Sequence, residues 1–396
     1  MKKNILRWLI ALFFIFITVL SCAFLKEFKD QAKEAQREKE NYELNEFYVY
    51  NLENTAFNLP VIIINTNGNP IKRQEDIIAD MQVYDSDGNT LEEYPSFEEK
   101  INISIRGNST SKYPKKQYSL EIINNKGEEK SEELLGMESG ADWVLNGPFS
   151  DKSLMRNYIA YKTSRNIMEY APDVRFCEVF VIDDNSKVIE EKHYKGVYVM
   201  IEKIKRNENR VNITKSQDKV EKTSFILSKD RKKQNDIGLN SYGIQTYIDF
   251  YGLNIEYPKK ELTDEKYQYI NKFISEFERV LYSDKFNDPI EGYRKYIDVQ
   301  SFVDYYIINE FFKNTDAGLL STYFYKDYEE KLKAGPIWDF NKSLGNHNED
   351  IGVAYDYQSF FMINRPWFDR LMEDKSFSDE VIKRYKQLRT TYLSDN

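Results

Sequence analysis

Asp316, Ser321 and Asp339 are the residues in this chain most suited to chemistry. Asp316 stands in NEFFKNTDAG (309–318), Ser321 follows five positions on, and Asp339 lies in GPIWDFNKSLGN (335–346), where Asn341 follows it closely. Carboxylate, hydroxyl and amide oxygens are hard ligands that suit Mg²⁺ or Mn²⁺. An anionic side chain can also orient an attacking hydroxyl, so the set is equipped for metal-assisted phosphoryl transfer. Two carboxylates equally suit acid/base hydrolysis if their separation is right, and the spacing along the chain leaves that separation open. Phosphoryl transfer needs cations as well. Arg106 in IRGNSTSKYPKKQYSLEI (105–122) is one candidate, beside Gly107, whose missing Cβ lets backbone approach an anion. Lys115 or Lys116 is a second, because alternation along the strand that follows points only one of them inward. Arg156 is a third.

The elements that must position these residues fall into two parts. From about residue 45 to 204, LPVIIINTNGNPI closed by Asn-Gly-Asn-Pro, MQVYDSDGNTLEEY with its Asp-Gly turn, and the strand-like runs KINISIRGNST, VRFCEVFVIDD and YKGVYVMIEKI predict an antiparallel sheet. Within that part, SDKSLMRNYIAYKTSRNIM (150–168) reads as a helix with a Ser or Asp cap. The second part reads as mainly helical. Thr263 caps a helix that carries Tyr267, Ile270, Ile274, Phe277 and Leu281 on one face, and Asp298 caps a second that leads into the Asp316 segment. STYFYKD and LKAGPIWDF follow as a hairpin, with Gly335-Pro336 setting the entry of its second strand.

Charged residues make up 31% of the 396 and aromatics 15%, which describes a folded body with a polar surface. A net charge of −9 gives no electrostatic footprint for nucleic acid. Met1 to Arg7 is basic and Trp8 to Leu25 apolar, and VLSC (19–22) resembles a lipobox. The expectation is a lipoprotein signal over 1–22 with Cys22 lipidated, or else an uncleaved single-pass anchor helix. Both readings leave the body outside the cytoplasm and attached to a membrane. Residues 23–44 read as a charged helical tether, and 45–396 as the functional domain. Lipidation of Cys22 leaves Cys177 without a partner, in a strand-like run where it packs as a small apolar residue. Two histidines and no Cys/His cluster argue against zinc or a His-dependent triad.

A strand-rich part, a helical part, and a helix that delivers one Asp into a hairpin ending at another form the layout of bilobal protein kinases. Four segments make the resemblance specific. IRGNSTSKYPKKQYSLEI, YKGVYVMIEKI, NEFFKNTDAG and GPIWDFNKSLGN resemble, in order, the motifs of the CotH kinase family, the spore-coat protein H group of atypical protein kinases. The resemblance implies an α+β, bilobal kinase-like fold and Mg²⁺-dependent transfer of the ATP γ-phosphate to Ser/Thr of a protein substrate. It implies Asp316 as the catalytic Asp and Asp339 as a metal ligand, with Ser321 and Asn341 at metal positions where many members carry Asn and Asp. It implies nucleotide contacts from Arg106, Lys115 or Lys116, and from Trp338 against adenine. Glu202 either positions a phosphate-binding lysine or is a strand-surface charge. Family members usually continue past RYKQLRTTYLSDN, so the helical part is expected to be shortened. The alternative is a surface adhesin or assembly factor on the same fold.

Overall fold

The computed structural model describes residues 56–85, 91, 94–217, 220–231, 236–239, 251–347 and 352–394. The expected signal segment, Cys22 and the tether lie outside them. Among the described residues no helix is long and apolar enough to cross a membrane.

In chain order the first part carries β1 (Val61–Asn65), β2 (Ile77–Tyr84), β3 (Phe97–Arg106), β4 (Gln117–Ile123), β5 (Glu132–Leu134), β6 (Met137–Gly140), β7 (Asp142–Asn146), α1 (Arg156–Arg165), β8 (Val174–Ile182) and β9 (Tyr194–Glu202). β5 and β6 pair with each other, and the other strands form a closed barrel in the order β1-β2-β3-β4-β7-β9-β8. The expected antiparallel sheet is therefore closed, and the closure is parallel: Val61 lies opposite Glu178 and Asn65 opposite Ile182. Closure leaves this sheet no unpaired edge.

Alternation decides what the barrel holds. Ile101 and Ile103 of β3, Tyr118, Leu120 and Ile122 of β4, Trp143 and Leu145 of β7, and Tyr198 and Met200 of β9 point inward, with buried Cys177 beside them. The opposite faces of the same strands contribute Val144, Val174, Val199 and Ile201 to the larger core of the second part.

That second part contains β10 (Phe225–Arg231), β11 (Tyr251–Tyr257), α2 (Asp264–Leu281), α3 (Val299–Phe311), β12 (Thr322–Lys326), β13 (Lys333–Ala334), α4 (Gly352–Tyr355), α5 (Phe368–Glu373) and α6 (Lys375–Leu388). The fold class is α+β, as expected. Both caps hold: Thr263 accepts from Lys266 N, and Asp298 Oδ1 accepts from Ser301 N at 2.8 Å. α3 is apolar on nearly every side, and Phe302 through Asn309 are all buried, which makes it the central helix. α1 begins at Arg156, later than expected; Asp151 acts at its start by accepting from Arg156 N at 3.0 Å. The hairpin holds too, but it is only half of its sheet. β12 and β13 continue an antiparallel sheet in the order β11-β10-β12-β13, and the sequence reading did not anticipate β10 or β11. Those strands are separated by a long polar stretch with no tight-turn signal between them.

Candidate active site

Where the barrel's β3–β4 loop meets the Asp316 loop and the end of the hairpin, there is a cleft of about 360 Å³. Arg106, Asp316, Ser321, Trp338, Asp339 and Asn341 all line it. Residues 23 positions apart in sequence thus share one cavity because α3 leads into the Asp316 loop and β13 leads into the Asp339 segment.

The Asp316 loop is held by its own backbone and by a buried hydroxyl. Leu320 N donates to Asp316 O at 2.8 Å, and Ala317 N to Asn314 O at 2.9 Å. Thr322 Oγ1 accepts from Gly318 N at 2.8 Å and from Tyr305 OH at 3.2 Å. Arg365 reaches in from the region before α5 to donate to Thr315 O. Ser321 sits at φ 50° and Asp339 at φ 58°, left-handed backbone that ordinary side chains rarely adopt. Strain of that kind, of order 1–3 kcal/mol per residue, persists where neighbours over-determine the geometry.

At Asp339 the neighbours are on α1. Tyr161 OH accepts from Asp339 N at 3.1 Å, and Asn157 Oδ1 accepts from Phe340 N at 2.7 Å. These two residues are four apart, on one helical face. Asn157 Nδ2 then donates to Asn341 Oδ1 at 2.8 Å, which turns Asn341 Nδ2 toward Asp339 Oδ1 at 2.7 Å. Asn341 was expected to offer a carbonyl to a metal; as oriented, it offers its NH₂ to the carboxylate and fixes it.

Burial, and then the negative charge of Asp316, push the Asp339 carboxyl up to about 6. The Asn341 N–H and the Arg106 guanidinium act in the opposite direction and do not offset this, while Asp230 adds to it. Asp230, at the end of β10, lines the same cleft, as do Arg73, Arg231 and Lys342. The sequence reading missed these four. Lys342 stands inside GPIWDFNKSLGN, three positions after Asp339, but no motif surrounds the other three, and only the unforeseen β10 pairing brings Asp230 and Arg231 here.

Four expected cleft residues are elsewhere. Lys115 Nζ donates to Val197 O at 2.5 Å and lies 4.7 Å from the Tyr198 ring centroid. Burial there lowers its pKa to about 8. Lys116 Nζ donates to Ser111 O at 3.0 Å. Neither is among the cleft-lining residues, because β4 begins at Gln117 and the alternation argument does not reach back to the lysines. Glu202 is fully buried, bonds Arg210 Nη1 at 2.6 Å and accepts from Asp173 N at 2.8 Å. It braces the barrel's end instead of positioning either lysine. Arg156 is engaged by Asp151 at 2.5 Å and Ser343 O at 3.0 Å, holding the backbone that follows Asp339. Trp338 does line the cleft, but the Arg106 guanidinium sits over its ring at 5.3 Å.

The family model of the CotH kinase protein matches residues 103–396, a span that contains all four resembling segments entire. The chain belongs to the CotH kinase family. No curated protein matches it.

Proposed function

We propose that this chain is an atypical protein kinase that transfers the γ-phosphoryl group of ATP to Ser or Thr of a protein substrate. In this reading the barrel serves as the first lobe of a kinase-like plan and the helix-rich part as the second, with the N-terminal segment attaching the body to the outer face of a membrane. The observation that carries it is the convergence of Asp316 and Asp339 on one cleft with Arg106.

The donor set fits a divalent cation. Asp339 is a desolvated carboxylate near a second carboxylate, and burial first, then the Asp316 charge, raises its pKa. Asp339, Asp316, Asp230 and Ser321 offer the hard oxygens that Mg²⁺ or Mn²⁺ takes. Bound there, the cation supplies neutralisation of phosphate charge. The chain's own residues do the rest: Asp316 accepts the hydrogen bond of the acceptor hydroxyl and aims its oxygen, and Arg106 holds the triphosphate. Arg73 and Lys342 add positive charge around the same anion. Asn341 and Tyr161 keep Asp339 in one orientation.

The test is transfer of label from ATP to a generic basic protein, with Mg²⁺ or Mn²⁺, by the full chain in detergent beside Asp316→Asn and Asp339→Asn. Label transferred by the wild type and lost in both variants is expected. No nucleotide binding or transfer by the wild type overturns the kinase reading and leaves an adhesin or assembly factor on the same fold.

A further inference from the structure

The polar wall of the cleft has a composition that phosphate chemistry does not explain. Arg106 lies opposite Gln117. Tyr118 lies opposite Leu145, so one step along the same register brings Gln117 opposite Asn146. Asn146 lies opposite Val199, and Val144 opposite Ile201. Arg106, Gln117 and Asn146 therefore form a row across β3, β4 and β7 on the barrel's outer face, with Ser104 and Ile201 in the next row. All five line the cleft. The row runs from one cation to two neutral amides.

Asn146 is costly as structure alone. Gln117 and Asn146 are each only 6% exposed, and Asn146 Oδ1 has no hydrogen-bond partner in the protein. A buried acceptor left unpaired costs about 1–3 kcal/mol. Such a group in a cleft wall marks a ligand that completes it.

The aromatic surface nearby is already committed. Trp338 carries Arg106 on its ring and meets Tyr161 and Tyr323 edge to face at 6.0 and 6.3 Å. Its contribution is to orient the guanidinium, which leaves the amide wall for the base.

We propose that Gln117 and Asn146 form the nucleobase subsite and that it selects adenine; this rests on the ATP-dependent reading above. Two inter-strand spacings separate Arg106 from Asn146, about 10 Å, so phosphate and base of one nucleotide can address opposite ends of the row. A carboxamide offers one donor and one acceptor side by side. On its N7 edge adenine presents the complementary pair, an amino donor beside a ring-nitrogen acceptor, whereas guanine presents two adjacent acceptors on that edge. Ile201 supplies an apolar flank.

The experiment measures binding of ATP, GTP and inorganic tripolyphosphate, each with Mg²⁺, to the full chain in detergent, with Asn146→Leu and Gln117→Met beside the wild type. Expected is a wild-type preference for ATP over GTP of about tenfold or more. Each variant weakens ATP about three- to tenfold, the worth of one neutral hydrogen bond, and leaves tripolyphosphate affinity unchanged, which also reports that the cleft is folded. ATP and tripolyphosphate weakening together, ATP affinity unmoved in both variants, or no preference over GTP while tripolyphosphate binds, each overturns the base assignment alone. No binding of either ATP or tripolyphosphate to the wild type overturns the kinase reading, and this assignment with it.

Discussion

Replacing Asp339 by Asn is expected to stabilise the folded protein while abolishing its proposed chemistry. The carboxyl is raised from an ordinary 3.8 to about 6, so the folded state binds its proton more tightly than the unfolded chain does. The sign follows: no penalty exists below 3.8, it grows as pH rises, and it is complete above about 6. At 1.36 kcal/mol per pKa unit the full penalty is about 3 kcal/mol. The linkage relation gives roughly half of that at pH 5. Asn keeps the oxygen that accepts from Asn341 Nδ2 but carries no charge, so it escapes the penalty. Equilibrium urea unfolding of wild type and Asp339→Asn at pH 5 and pH 8, in chelator, reads the difference directly. The variant should gain about 3 kcal/mol at pH 8 and about half as much at pH 5. Millimolar Mg²⁺ should then raise the wild type alone, since a ligand of the folded state stabilises it by mass action. A variant less stable than wild type at pH 8, or a gain equal at both pH values, refutes the reasoning.

Removing the Glu202 counter-ion with Arg210→Met leaves a buried carboxylate that burial already raises; the loss should be about 3–5 kcal/mol, read as a lowered unfolding midpoint that Glu202→Gln partly restores. Lys115→Met should leave tripolyphosphate affinity unchanged, whereas Arg106→Met should weaken it at least about tenfold, as expected for a hydrogen bond to a charged group; equal losses in a binding titration would return the lysine to the cleft. Gly107 sits at φ 96°, and a Cβ there would come within 2.0 Å of Thr110 Oγ1. Gly107→Ala should therefore disrupt the β3–β4 loop and weaken nucleotide binding, with Thr110→Ala recovering only part of it because the backbone strain remains.

The chemistry-bearing centre was legible because it is local. Asp316 follows a capped helix and Asp339 ends a hairpin, and both elements can be recognised from caps and alternation, so the two carboxylates had few places to go. What the cleft takes from elsewhere was not legible. Asp230 and Arg231 arrive through the pairing of β10 with β12, which joins Phe225 to Lys326 and leaves no mark in either segment. The barrel's closure joins Val61 to Glu178 in the same way. Glu202 could be read two ways because its partner, Arg210, sits among several basic residues that look interchangeable in sequence. Asn341 was ambiguous for a chemical reason. A carboxamide can ligate through oxygen or donate through nitrogen, and only the orientation imposed by Asn157 decides between them.

Val144, Val174, Val199 and Ile201 stand on barrel strands yet belong to the same apolar core as Phe225, Leu227 and Ile307. Swinging the barrel away from the helices as a rigid jaw would strip those side chains, at about 1.5–3 kcal/mol each. The hinge that such a motion needs is in effect glued shut. In the proposed kinase reading, traffic of nucleotide in and out is then left to the short flap at Gly107–Tyr113, whose Thr110–Lys112 turn contains no buried residue. This is a vise with fixed jaws and a small latch, and exchange rates should answer to changes in the latch far more than to changes in the jaws.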